Sequence, residues 1–189
     1  SFAYVGGLMT MVYNDIDTDW GNLSGAMLSS ATDESEYSHE GNAIEDFYNG
    51  NWSASNPHQT IWTSAYEGIT YCNEIIDNWS NLDFEQFKLN IDYEKQMYLY
   101  KNYVYEARWA RAYFYFTLLR QYGSVPFKTT NTTGTEETAL PCTNADDIFN
   151  FISKECDAIK DSIIEDYSAN PEYILARAET GRANKYAVL

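Results

Sequence analysis

Residues 106–126 read EARWARAYFYFTLLRQYGSVP, and this stretch decides the architecture. It carries helix-forming residues without interruption and then meets Gly123 and Pro126, the two residue types least able to continue a helix. At about 100° per residue, Glu106, Thr117 and Arg120 share one narrow stripe. Arg108 and Arg111 fall on the opposite side, among Ala107, Tyr115 and Leu118. A helix apolar on most faces belongs between other helices. An arginine carried inside by it needs a carboxylate or carbonyl partner, because an unpaired buried charge is very costly. The stretch therefore reads as a core helix with a structural ion pair.

The same spacing continues on both sides. Met97, Tyr100, Val104 and Ala107 lead into it, so one long helix is predicted from Asn90 to Gln121. Gly123 is placed as the left-handed residue after its end, and Arg120 in the last turn suits the helix dipole. Upstream, Trp62, Ala65, Tyr66, Ile69, Cys72, Ile76 and Trp79 mark an amphipathic helix from Thr60 to Trp79, begun by Gln59 or Thr60. Val5, Leu8, Met9, Val12 and Ile16 mark a first helix over Phe2–Ile16, and a short helical pattern covers Asn22–Ser29. Downstream, the threonine-rich segment Lys128–Cys142 reads as a loop. Thr143 with Asp146, or Asn144 with Asp147, then caps a helix running to about Ile164. After a polar turn at Ser168–Pro171, Gly181-Arg182-Ala183 opens a last helical pattern that reaches Leu189 without a stop signal. The natural protein is expected to continue beyond it, leaving Gly181–Leu189 without a packing partner. No Asn-Gly hairpin signal lies between alternating strands. The fold class is all-α, with helical hairpins of tetratricopeptide-like kind joined by long irregular loops, although no strict repeat of about 34 residues is visible.

The bulk properties narrow the partners. The 189 residues fit one domain, and 44% hydrophobic content supports a core despite a net charge of −16. That charge argues against nucleic acid and against an anionic membrane surface. Neutral sugars, cations and proteins stay open. Aromatic residues reach 16%, which suits packed helices or a surface that stacks on flat ligand faces. No apolar run approaches the roughly 20 residues of a membrane span. No signal peptide is visible, so Ser1 reads as a processed or engineered start. Cys72, Cys142 and Cys156 form no spaced motif, and the odd number gives no disulfide framework.

Chemistry is sparse. Asp15, Asp17 and Asp19 invite a calcium reading, but Trp20 and Ala26 stand where the EF-hand loop needs glycine and a carboxylate. No metal and no cofactor is expected, since zinc needs closely spaced Cys or His ligands and phosphate loops are absent. His39 and His58 have no neighbouring nucleophile, so no catalytic residue is nominated. Asn-x-Ser/Thr sequons at Asn22, Asn51, Asn78 and Asn131 are matches by chance at this composition.

The segment from Glu34 to Gln59 is different. It lacks periodicity, holds Gly41, Gly50 and Pro57, and carries Tyr37, Phe47, Tyr48 and Trp52. Long irregular segments inside a domain are functional or disordered, and this aromatic content speaks against disorder. A sugar is held by flat rings on its C–H face and by amides or carboxylates on its hydroxyls. Tyr37, His39, Asn42, Asp46 and Trp52 supply both kinds of group, with Tyr37, His39, Asn42 and Trp52 as the ligand-binding candidates.

Four landmarks in this order resemble the SusD/RagB family. They are Ala31-Thr32-Asp33-Glu34; the helix with Trp62, Tyr66, Ile69 and Cys72-Asn73; the E-x-R-x-x-R-A-Y-x-Y-F run with Gly123, Val125 and Pro126; and Gly181-Arg182-Ala183-Asn184-Lys185. Asn184 stands where the family's last element usually has another residue. The resemblance covers nearly all of the chain and about the N-terminal third to half of such a protein. It implies a helical scaffold with Glu106, Arg108, Arg111, Gly123 and Pro126 in structural roles, and no catalysis. It implies capture of a glycan or other nutrient at the outer-membrane surface of Bacteroidetes, a SusC-like TonB-dependent transporter as partner, and a lipid anchor upstream of Ser1. In the family, ligand aromatics and an asparagine follow the TDE element, which points to Tyr37 and Asn42. The rival readings are a helical protein-interaction module and an all-helical glycan-degrading enzyme.

Overall fold

The computed structural model describes residues 1–16, 21–23, 25–57, 61–132, 140–167 and 181–189. The chain is mostly helical, in the all-α manner expected. In order it forms α1 (Phe2–Asn14), a hairpin of β1 (Asn22–Leu23) and β2 (Ala26–Met27), one turn of α2 (Asp46–Asn49), α3 (Trp62–Asn78) and α4 (Tyr93–Tyr122). A ribbon of β3 (Val125–Pro126) and β4 (Cys142–Thr143) follows, then α5 (Ala145–Ile159) and α6 (Lys185–Val188). Two compact units result, one of residues Ser1–Ile16 with Ser64–Leu189 and one of Asp17–Thr63.

The first unit is a helical frame around α4. Val5, Met9 and Val12 line the inward stripe of α1, and Ala65, Ile69, Cys72 and Ile75 that of α3. They join Ala107, Ala110, Phe114, Tyr115 and Leu118 of α4 and Ile148 of α5 in one core. Gly68 lets α3 approach α4 closely: a Cβ there would run into the ring of Phe114. Cys72 is fully buried in this core, and burial pushes its thiol well above the ordinary range. All three cysteines are free.

Helix ends follow local chemistry. Gly123 closes α4 with φ +70°, as glycine allows, but ψ is −115°, so it is not in the left-handed helical basin that was expected. The chain then returns along α4, where the Tyr66 hydroxyl donates to the Pro126 carbonyl at 2.6 Å. The Tyr115 hydroxyl donates to the Lys128 carbonyl at 2.7 Å and accepts from the Lys128 N–H at 2.8 Å. Burial pushes the Tyr115 phenol up to about 12. Of the two capping pairs open from the sequence, Asn144 takes the N-cap of α5, its side chain accepting from the Asp146 N–H at 3.0 Å.

Three expectations are corrected. Asn22–Ser29 is not helical: Asn22 pairs with Met27 and Leu23 with Ala26 in an antiparallel hairpin, and a 3-10 turn follows at Leu28–Ala31. Gly21 and Gly25 adopt φ +76° and +83°, which breaks so short a pattern before a helix can nucleate. Helix α5 stops at Ile159 rather than Ile164, because the Ile164 N–H leaves the helix to donate to the Asn102 side chain at 2.9 Å. The C-terminal segment does have a packing partner. Ala183 and Val188 are buried with Ile159 and Ile163, and the Trp109 indole donates to the Ala187 carbonyl at 2.9 Å, while Tyr186 and Leu189 stay exposed. The suggested starts at Gln59 or Thr60, the acidic residues Asp17 and Asp19, and the turn at Ser168–Pro171 lie outside the described residues. Among the described residues no helix is long and apolar enough to cross a membrane.

Candidate functional site

Two polar constructions stand out, one in each unit. In the helical frame, Glu106 has no exposed surface and sits in the middle of α4. Arg182 grips it in a two-pronged ion pair, Nη2 to Oε1 at 2.8 Å and Nε to Oε2 at 3.0 Å. The Tyr13 hydroxyl donates to Oε2 at 2.6 Å and the Asn102 amide to Oε1 at 2.8 Å. The guanidinium carbon of Arg182 lies 4.7 Å from the centre of the Tyr103 ring, a cation–π contact. The Ala183 N–H donates to the Tyr13 hydroxyl at 2.8 Å, and the Tyr167 hydroxyl to the Ala183 carbonyl at 2.9 Å. Burial works against the charge on Arg182, but the Glu106 carboxylate and its hydrogen bonds outweigh that and hold the guanidinium more firmly protonated. Burial and the Glu106 charge together push the Tyr13 phenol far up, so it remains a donor.

Arg108 and Arg111 find the partner their positions demanded. Glu155 of α5 accepts from Arg108 Nε and Nη2, both at 2.9 Å, and from Arg111 Nη2 at 3.4 Å. Arg111 also donates to the Asn73 side chain and the Thr129 carbonyl, each at 2.8 Å. Burial opposes the Glu155 charge, yet the hydrogen bonds from Arg108 and the two guanidinium charges hold its carboxyl below the ordinary value. These groups hold helices together. Within the cluster, Arg111 Nε and Asn73 Nδ2 are buried without a hydrogen-bond partner among the described residues.

The Asp17–Thr63 unit is built differently. Its small core is Leu23, Ala26 and Ile44, with Tyr37 and Phe47 packed against it. Around that core the backbone is shaped by its own side chains. The Thr32 hydroxyl donates to the Ser29 carbonyl at 2.7 Å, and the Gly41 N–H donates to Glu45 Oε1 at 2.7 Å. Asn42 accepts from the Ile44 N–H at 3.0 Å and so caps the 3-10 turn Ala43–Glu45. Asp46 accepts from the amides of Asn49, Asn51 and Asn56 at 3.2–3.4 Å, which gathers the chain after α2. Two of the nominated polar groups, Asn42 and Asp46, thus serve the loop.

The nominated rings are placed as follows. Tyr37 is half-buried on the small core, with the exposed His39 ring edge-on to it at 6.5 Å. Trp52 is 56% exposed and leans on Phe47 with ring centres 4.9 Å apart. His58 lies outside the described residues. An open depression of about 630 Å³ is lined by Ser30, Thr32, Asp33, Ser35, Glu36 and Tyr48. Composition had marked Tyr48 only as part of the aromatic content and Asp33 only as part of a landmark. No sequence pattern marked the depression, because Tyr48 follows Glu36 by 12 residues and its exposure is set by the fold. Among the described residues no group of three or more His, Cys, Asp and Glu side chains is placed to hold a metal ion.

The four landmarks meet in these constructions: Thr32 and Asp33 of the TDE element line the depression, the Trp62–Asn73 helix lends Asn73 to Arg111 of the long aromatic run, and the last element supplies Arg182 to Glu106 of that run. The profile of the SusD-like family, described as starch-binding associating with outer membrane, matches residues 7–189. The chain belongs to the SusD-like family. The fold agrees. A SusD-like carbohydrate-binding protein from Bacteroides fragilis superposes with a TM-score of 0.72 at 24% identity, over 100% of this SusD-like chain and 35% of its own. A laminarin-binding SusD-like protein gives 0.70 at 15% identity, over 98% of this chain and 38% of its own. A surface glycan-binding protein A from Bacteroides uniformis gives 0.66 at 18% identity, over 100% and 40%. This SusD-like chain therefore spans well under half the length of the structures it resembles. No curated protein sequence matches it.

Proposed function

We propose that this chain belongs to a non-catalytic glycan-capture protein, anchored at the outer-membrane surface, that passes its ligand to a SusC-like TonB-dependent transporter. The observation that carries the proposal is the family match over residues 7–189. The chemistry supports it. In the frame Glu106, Arg182, Arg108, Arg111 and Glu155 are engaged in holding elements together, while the Asp17–Thr63 unit presents the exposed rings of Tyr48 and Trp52 on an irregular surface. In this reading Tyr37, His39 and Trp52 meet the sugar's C–H faces, and Asn42 holds the turn that presents them.

The test is affinity electrophoresis and calorimetry of the full-length protein against a panel of soluble glycans, with co-purification of the transporter as a second readout. Binding lost in Tyr37→Ala and Trp52→Ala, with transporter association kept, supports capture. Association that survives with no glycan bound favours a protein-interaction module. Turnover of a labelled polysaccharide points to an enzyme instead. Absence of both glycan and transporter binding overturns the proposal.

A further inference from the structure

Charge is distributed very unevenly along this chain. All 12 Lys and Arg residues lie at or beyond Lys88, so the first 87 residues hold none. Residues 17–63 alone contain eight Asp and Glu side chains and no Lys or Arg. Within that unit, the depression at the TDE element places Asp33, Ser35 and Glu36 around Tyr48, whose ring is 54% exposed. Asp33 and Glu36 are both exposed, and among the described residues no hydrogen bond or ion pair occupies either carboxylate. Carboxylates in this position accept strong, charge-assisted bonds from hydroxyl donors, and an exposed phenol ring offers a flat face to a pyranose.

From this we infer, resting on the glycan-capture reading above, that the depression takes glycans free of negative charge and turns away those bearing uronate or sulfate. Tyr48 is the platform, and Asp33 and Glu36 accept the sugar hydroxyls. A uronate seated on Tyr48 would share the depression with the Asp33 and Glu36 carboxylates. The unit has no arginine with which to make the two-pronged bond that acidic sugars favour. Desolvation together with the Glu45 and Glu36 charges raises the Tyr48 phenol, so the ring stays neutral and keeps a hydroxyl to donate.

The experiment uses the full-length protein at low ionic strength. Laminarin and soluble starch are the neutral probes, polygalacturonate and chondroitin sulfate the anionic ones, and carboxyl-reduced polygalacturonate a matched neutral control. At least one neutral probe is expected to bind about tenfold or more tightly than the anionic pair. Added salt should narrow the gap by screening the repulsion. Tyr48→Ala should weaken neutral binding about tenfold or more, and Asp33→Asn with Glu36→Gln about tenfold, with circular dichroism unchanged. Anionic glycans bound as tightly as neutral ones overturn the inference and leave glycan capture standing. So does neutral binding indifferent to all three substitutions. Failure of every probe to bind overturns glycan capture itself.

Discussion

In the helical frame Glu106 is fully buried and its partners come from α1, from α4 itself and from a segment 76 residues further on. In the Asp17–Thr63 unit, Asp46 bonds asparagines no more than ten residues away, and Asp33 and Glu36 face water. The frame therefore uses polar groups to fix distant elements, at the cost of leaving costly orphans if one is removed. The unit uses them to shape its own turns and keeps the remainder on its surface. Substitutions should be expensive in the first and cheap in the second.

The largest expected effect is at Glu106. Glu106→Ala leaves the Arg182 guanidinium buried without its counter-charge and should cost about 3–5 kcal/mol in urea unfolding followed by tryptophan fluorescence. The paired change Glu106→Leu with Arg182→Met should recover most of that loss. If the single variant unfolds within about 1 kcal/mol of the parent, the buried clasp is not what holds the frame. Next comes Gly68→Ala, where the new methyl meets the buried Phe114 ring. Overpacking against a modest gain in helix propensity should leave a net loss of about 1–2 kcal/mol.

The Glu155 bridge is more exposed and should be worth on the order of 1 kcal/mol after screening. Its carboxyl sits below the ordinary value of 4.5 in the folded state, so its contribution is present above that pH. The contribution is lost as the pH falls through the lower folded value. Stability curves of the parent and of Glu155→Gln should therefore converge in acid and separate toward neutral pH. The smallest effect is expected for Trp52→Ala, below about 0.5 kcal/mol in stability because the ring is mostly outside. A loss above about 2 kcal/mol would show that this ring pins the unit together and would erase the difference between the two units.

The contrast also explains what could be read in advance. The 3.6-residue period exposed α1, α3 and α4, and it demanded partners for Arg108 and Arg111 without naming Glu155, because ion pairs across elements leave no periodic trace. Arg182 was visible only as part of a landmark, and its bond to Glu106 was not. The β1–β2 hairpin escaped because strands of two residues carry no alternation to detect. In the Asp17–Thr63 unit, residue types suggested a sugar site, but they could not show that the Asn42 oxygen caps a turn while Asp33 and Glu36 stay outward. Local bonding decides that, and it depends on φ and ψ at glycines such as Gly41 rather than on any pattern of apolar residues.

The Glu106–Arg182 clasp has a consequence for how the protein is made. A ribosome adds Glu106 some 76 residues before it adds Arg182, an interval of about 4–15 s at ordinary elongation rates. Throughout that interval the longest helix carries a carboxylate with no cation to meet it, so the nascent chain waits half-assembled for its latch. Chains stalled short of residue 182 should be digested readily by protease, and release of a few more residues should confer resistance.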